Sequence, residues 1–415
     1  MRRRARWGRI VGLCLGVLVM ALGLGGFVLY RSAKAALSAV AAHNPPPFQH
    51  TITVLLLGEG LVENGATDIV NPVNVPDQTD TMMLVALNLR TGQAGVVSIP
   101  RDSRIDLPQA GGIAKINDAN FVGGPALAQA VVEKTLGVPV DFYAEITMAH
   151  FAQVINAIGG LDVYVPYAMN YGTATGPYSY LNIHLQPGTH HLNGYQVLEF
   201  VRFRNEALGD IGRIQQQQYV LRLILQKLMT PAELSQWPRV IGLIRQDVRT
   251  DLSRQDLFAL ALLARKVHLS QVRYATLPGS PWTQGGISYW VLDQRLLPVV
   301  EHDTLIGGLT PEDLHRLRAE VASGTESLAP ATSVVDWLQS QGVTVGPALW
   351  ANQHHATRTI IANYTGDQYL ADRLEQALGG PGSVTVENIP YHDVPGVDLV
   401  ITVGSALHLN PSARL

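Results

Sequence analysis

Two apolar runs separated by four residues constrain the fold of this chain most. Thr79 to Leu89 and Ala94 to Ile99 are aliphatic and β-branched, and Arg90-Thr91-Gly92-Gln93 lies between them, the pattern of a β-hairpin. With Thr91-Gly92 as the loop, Arg90 faces Gln93 and Met82 faces Arg101. Asp80 then comes within two residues of Arg101 across the ladder. A carboxylate meeting a guanidinium at the open end of a hairpin is either a structural ion pair or a metal ligand beside a phosphate clamp. Local sequence does not separate the two.

Around the hairpin, strands and helices alternate. Thr51 to Leu57 is apolar enough for a buried central strand running into Gly58-Glu59-Gly60, and the stretch from there to Asp77 reads as loop. Asp118 to Leu136 is helical, Val140 to Ile146 a strand, His150 to Ile158 a helix and Leu161 to Val165 a strand. Tyr167 to Tyr180, rich in Gly, Tyr and Thr, reads as a surface loop. Helical periods cover Ile211 to Met229, Pro231 to Arg245 and Ser253 to Val267, before a strand at Val272 to Leu277. The class is therefore α/β, with helices covering a sheet that contains at least one antiparallel pair.

At 415 residues the chain should hold two or three folded units. Its net charge of −3 leaves no nucleic-acid footprint. The single cysteine, Cys14, lies in the first apolar run, so the folded part holds neither a disulfide nor a thiolate metal site. Met1 to Arg9 carries five arginines, and Ile10 to Tyr30 follows as 21 uncharged residues, about 31 Å of helix and enough to span a bilayer. A cleaved signal peptide is the competing reading, but the run is long for one and has no clear small-x-small exit. The expectation is a retained single-pass anchor in the cell membrane, with the basic tail cytoplasmic and everything after Arg31 extracellular. A juxtamembrane linker then runs to about residue 50: Ser32 to His43 reads as a helix, and Asn44-Pro-Pro-Pro47 stops it as a stiff spacer.

The densest chemistry lies in Tyr195 to Gln218, which places three arginines, an aspartate and a run of four consecutive glutamines after a short apolar run. Asn193 caps the short helix leading in. Arg202 and Arg204 are two apart, which on an extended segment puts both on one face, and VRFR accordingly reads as strand-like. In the helix after Gly209-Asp210-Ile211-Gly212, Arg213, Gln217, Val220 and Ile224 fall on one stripe that passes from polar to apolar. Such a stripe suits a ligand with an anionic head and a hydrocarbon tail. The histidine pairs His190-His191 and His354-His355 diverge on strand and helix alike and carry no site.

From about Leu314 the pattern nearly repeats. Strands near Ala319 to Val321, at Thr359 to Asn363, Val384 to Val386 and Leu399 to Val403, with helices at Val334 to Gln341 and Gln368 to Leu378, read as a small βαβ module. It has no phosphate loop or nucleophile motif and reads as a binding or packing domain.

The region from Thr51 to Leu305 resembles the LytR-CpsA-Psr family of membrane-anchored cell-wall glycopolymer ligases. The motifs carrying the resemblance are LLLG at Leu55 to Gly58, TDTMMLVALN at Thr79 to Asn88, SIPRD at Ser98 to Asp102, KIN at Lys115 to Asn117, Gly159-Gly160 and VRFR followed by Asp210, Arg213 and Gln217. After a linker at 306–318, the tail from Ala319 to Leu415 resembles the LytR C-terminal domain. The resemblance implies a three-layer α/β/α domain with a mixed central sheet. It implies that a polyprenyl-pyrophosphate-linked glycan binds with its tail in an apolar groove and its pyrophosphate on arginines and Mg²⁺. It also implies transfer of the glycan phosphate to a peptidoglycan or other cell-wall hydroxyl. Arg101, Arg202, Arg204, Arg213 and Gln217 fall on the anion-binding positions, and Asp80 on a metal-binding aspartate.

One departure matters. The family places a second metal-binding aspartate just after the LLLG strand, where this chain has Gly60. Glu59 and Asp68 are the substitutes at hand, and Mg²⁺ needs only one or two protein carboxylates. Phosphoryl transfer asks the protein chiefly to align groups and neutralise charge, and Asp102 or Asp210 is placed to take the acceptor's proton. A non-catalytic binder of lipid-linked pyrophosphates and a lipid pyrophosphatase remain as other readings.

Overall fold

The structure, a computed structural model, describes residues 31–32, 34–59, 79–172, 182–203, 209–230, 239–240, 242–243, 248–352, 354–391 and 396–415. The segment expected to cross the membrane, Gly60, Asp68 and Arg204 lie outside them, as does most of the helix expected over Pro231 to Arg245. Among the described residues no helix is long and apolar enough to cross a membrane.

Six strands form the first sheet: β1 (Thr51–Glu59), β2 (Thr79–Asn88), β3 (Ala94–Ser98), β4 (Phe142–Ile146), β5 (Val248–Thr250) and β6 (Arg273–Thr276), in the order β5-β4-β1-β2-β3-β6. β1 runs antiparallel to β2 and parallel to β4, and β3 is antiparallel to β2 and parallel to β6, so the sheet is mixed as expected. Its helices are α1 (Asp118–Leu136), α2 (Met148–Ala157), α3 (Gly194–Arg202), α4 (Gly209–Leu228) and α5 (Arg254–Ala264).

Strand periodicity decides which helix covers which face. Leu55 and Leu57 of β1 pack with Leu84, Val97 and the buried Ala128, Val132 and Leu136 of α1. Ile52 and Val54 point the other way, against Ala259 and Leu263 of α5. Helices thus cover both faces. Complete burial of each such leucine contributes roughly 2 kcal/mol, which is why β1 forms the middle of the sheet.

The hairpin forms, but its register differs from the expectation by two residues. Met83 faces Ser98 and Leu87 faces Ala94, and the connection is a four-residue loop in which Gly92 N donates to Asn88 O at 2.9 Å. The Asn88 side chain causes this: its Oδ1 accepts from the N–H groups of Arg90 and Thr91, both at 3.0 Å, an Asx turn that competes with a two-residue loop. A shift of two leaves each side chain on its own face.

Within VRFR, the described residues Val201 to Phe203 form no strand. The Asn193–Gln196 capping box starts α3, and its buried Val197, Leu198 and Phe200 keep helical spacing through Arg202, so burial of that stripe overrides the local two-residue pattern. Packing against α2 requires Gly194, where a Cβ would lie 2.0 Å from Ala152 O. The expected loop at Tyr167 to Tyr180 also contains structure: Met169–Gly172 pairs with Asn182–Leu185, burying Met169 and Ile183. A second unforeseen hairpin joins Gly279–Gln284 to Ile287–Leu292.

The second sheet follows the expected βαβ pattern. Its elements are β7 (Arg318–Ser323), α6 (Ala329–Gln341), β8 (Thr344–Val345), β9 (Thr359–Asn363), α7 (Gln368–Ala377), β10 (Val384–Asn388) and β11 (Leu399–Val403). The strand order is β8-β7-β11-β9-β10, with Leu349–Trp350 also paired to β7. Where this sheet meets the first, buried Asp303 accepts from Arg273 of β6 at 3.1 Å and from Arg373 of α7. The Tyr369 ring lies 4.1 Å from one guanidinium and 4.9 Å from the other. Asp367 is wholly buried beside Asp303, and burial together with that neighbour's charge raises its pKa well above the carboxylate range.

Candidate functional site

The strand ends of the first sheet build the site. Gly58 faces Thr81 and Glu59 faces Thr79, leaving Asp80 as the extra residue of a β-bulge, a device that re-aims a side chain. Asp80 Oδ1 accepts from Nη1 of Arg101. The β2–β3 ladder ends at the Met83–Ser98 pair, and this side-chain bond spans the open end beyond it.

Arg101 is the hub. Its Nε is 3.4 Å from Asp210 and 4.0 Å from Asp102. Burial disfavours its charge, but Asp80, Asp210 and Asp102 outweigh that and hold its pKa above the ordinary arginine value. A guanidinium pinned by carboxylates cannot swing, so its remaining donors are oriented before any anion arrives.

Arg202 ends α3 with Nη1 2.7 Å from Met148 Sδ and 4.0 Å from Asp80. Arg213, in the first turns of α4, donates to Asp210 at 3.2 Å. The two carboxylates therefore tie Arg101, Arg202 and Arg213, from three separate elements, into one cluster. Asp102 sits at its edge, bound to Lys115 Nζ at 2.7 Å. The KIN lysine is thus part of the assembly, a role that its sequence position did not disclose.

Beside the cluster lies a cavity of about 370 Å³. Asp80, Glu59, Arg202, Arg213 and Gln217 line its charged part, and Val220 and Ile224 its apolar part. The stripe read on α4 therefore faces one space and changes from polar to apolar along it. Sequence reasoning missed the opposite wall: Met148, Phe151 and Val154 of α2 and Leu198 and Val201 of α3. Their helical spacing is that of any core stripe, so no local signal marks them as cavity lining.

The carboxylates present suit a hard divalent cation. Asp80 and Glu59 share the cavity wall at adjoining strand ends, and Mg²⁺ takes oxygen ligands, filling most of its octahedron with water and phosphate. Among the described residues no group of three or more His, Cys, Asp or Glu side chains is gathered for a metal.

Fold and site define an α/β protein whose sheet ends carry an apolar cavity with an arginine-carboxylate mouth. The sequence model of the LytR_cpsA_psr family matches residues 30–304, and the chain belongs to this family. It is 29% identical over 311 residues, 71% of this chain and 94% of the relative, to the polyisoprenyl-teichoic acid–peptidoglycan teichoic acid transferase TagU of Enterococcus faecalis. TagU of Bacillus mycoides is 30% identical over 264 residues, covering 60% of this chain and 80% of that one. Among solved structures, protein gbs0355 of Streptococcus agalactiae superposes with TM-score 0.54 at 26% identity, covering 61% of this chain and 86% of that one. TagT bound to LI-WTA superposes with TM-score 0.50 at 27% identity, covering 62% and 91%.

Proposed function

We propose that the chain is a membrane-anchored phosphotransferase that moves a glycopolymer phosphate from a polyprenyl-pyrophosphate carrier to a hydroxyl of peptidoglycan or another cell-wall acceptor. The observation that carries this is the single cavity on which Arg202, Arg213 and Gln217 adjoin Val220 and Ile224. An arginine cluster opening onto hydrocarbon suits a pyrophosphate with a prenyl tail. The names of the TagU relatives support the reaction class. Residues 10–30 would supply the anchor, residues 51–305 the catalytic domain outside the cell, and residues 319–415 a separate accessory domain.

In this reading the acceptor oxygen attacks the glycan-bearing phosphorus, the bond to the bridging oxygen breaks, and polyprenyl phosphate leaves. Arg101, Arg202 and Arg213 hold the phosphate oxygens in line and offset the charge that develops on them. Arg204 belongs to the same set by its motif position. Asp102 and Asp210, each in contact with the arginine cluster, are the carboxylates placed to take the acceptor's proton. Asp80 and Glu59 would hold Mg²⁺, which when bound neutralises pyrophosphate oxygens.

The test is release of prenyl phosphate from a prenyl-pyrophosphate-linked glycan by the full chain in detergent. Release that rises with added peptidoglycan, together with label transfer to it, is the expected result. Binding without release would make the protein a carrier-binding module, and release indifferent to acceptor would make it a pyrophosphatase.

A further inference from the structure

The face of α4 turned away from this cavity borders a second one of about 230 Å³, between α4, β6 and the second sheet's module. Gln215, Gln218 and Arg222 of α4 line it with Tyr274, Gln368 and Asn388. At about 100° per residue, these α4 positions lie roughly 160° around the helix from Arg213, Gln217, Val220 and Ile224. One helix therefore serves two separate spaces.

This explains the run of four glutamines. Gln217 faces the first cavity. The Gln216 amide, with its nitrogen inward, donates to the carbonyls of Phe200 and Phe203 at 3.1 and 2.9 Å and so caps the end of α3. Gln215 donates to Asn388 O at 3.2 Å, and Gln218 to Ser98 Oγ and Ala275 O, both at 2.9 Å. Asn388 in turn donates to Gln368 at 2.8 Å, so the amides are held in place from both sheets. The join itself is close: Thr276 N donates to Gly366 O at 2.9 Å. Gly366 has φ 74°, and a Cβ there would lie 2.0 Å from Thr276 O, so a larger residue cannot stand at this point.

The lining chemistry differs from that of the first cavity. Amides present donor and acceptor together, and the exposed Arg222 guanidinium, 4.6 Å from the centre of the buried Tyr274 ring that it covers, adds a planar cationic donor. Among the described residues no carboxylate lines the cavity, which disfavours a cation. Hydroxyl-rich rings, with or without an acidic substituent, match this set. The volume falls below the roughly 300–1,000 Å³ of pockets that enclose a whole drug-sized ligand, so only a short part of a chain fits.

We infer that this cavity is a saccharide subsite, shared by α4 and the C-terminal module, that takes one or two rings of a glycan chain. Its chemistry is common to the acceptor strand and to the transferred polymer, and only the choice between those sources rests on the transferase reading above.

The experiment titrates the full chain in detergent, by calorimetry, with two probes: a soluble tetrasaccharide of the peptidoglycan glycan strand and a lipid-free teichoic acid oligomer. At least one should bind, and Gln215→Leu with Arg222→Ala, both exposed changes on α4, should weaken it by about tenfold or more through lost hydrogen bonds. Asn388→Leu should weaken it likewise from the other wall, while prenyl pyrophosphate binding stays at the wild-type value. Failure of both probes to bind, or equal binding by the α4 double variant, overturns the subsite. Prenyl phosphate release by the wild type is read in parallel, so saccharide binding without turnover would retain the subsite and sink the transferase reading alone.

Discussion

Asp80, the extra residue of the bulge between β1 and β2, accepts a hydrogen bond from Arg101, which lies in the turn just beyond the end of β3. The bond joins a metal-ligand candidate to a candidate anion-binding arginine. Asp80→Ala should therefore remove both the ligand and the support of Arg101. It should lower magnesium-dependent turnover by about 100-fold, the order seen when a preorganised electrostatic group is lost. Glu59→Ala should cost less, because Asp80 still holds the clamp. Magnesium titration of prenyl phosphate release in both variants measures this, and a wild-type magnesium response in Asp80→Ala would falsify the assignment.

Arg202 ends a helix whose stability rests on the buried Val197, Leu198 and Phe200, so truncating it should change stability by less than about 1 kcal/mol. Activity should nevertheless fall about 100-fold in Arg202→Ala. Arg202→Lys should recover little of it, since an ammonium cannot reproduce the planar two-point grip on phosphate. Thermal melts and kcat/KM for the pair separate these effects, and near-full activity in the lysine variant would reduce the role to simple charge.

Ile224 lies at the apolar end of the cavity and is only half-buried. Ile224→Trp should fill part of that space. Affinity for a long prenyl pyrophosphate should drop at least about tenfold, while a short-chain analogue that reaches only the arginines keeps wild-type affinity. Equal losses for both would point to damage at the mouth rather than a blocked tail site.

Glu301 lies buried where the first sheet's domain ends, and burial pushes its pKa from 4.5 up to about 7. Below about pH 4.5 the group is neutral in folded and unfolded chains alike. Between 4.5 and about 7 the unfolded chain ionises first, so the folded state loses stability as pH rises, by about 1.4 kcal/mol per unit. Above 7 the loss is complete. Glu301→Gln, uncharged throughout, should gain relative to wild type between pH 5 and pH 8 by up to about 3 kcal/mol. Parallel denaturant unfolding at the two pH values checks it, and a pH-independent difference would contradict the burial argument.

The motifs made much of the site legible beforehand. TDT and SIPRD lie together at the open end of one hairpin, so the proximity of Arg101 and Asp80 followed from local pairing. The helical stripe of Arg213, Gln217, Val220 and Ile224 followed from a period of 3.6. What failed was local in a different way. The Asn88 side chain reset the hairpin by two residues, and burial of Phe200 drew Val201 and Arg202 into a helix although the arginines of VRFR alternate like those of a strand.

Sequence alone thus determined the α/β class, the βαβ tail, most element positions and the pairing of Asp80 with Arg101, because these depend on periodicity and on neighbours within one turn or hairpin. Tertiary structure alone decided that Asp210 joins Arg101 to Arg213, that α2 and α3 close the cavity's other wall, and that Gln217 of α4 faces one cavity while Gln215 and Gln218 face the other. Those relationships depend on how far around a helix each residue falls and on which distant element packs there. Contacts between residues far apart in the chain are set by the burial of the whole core, which no short stretch of sequence encodes.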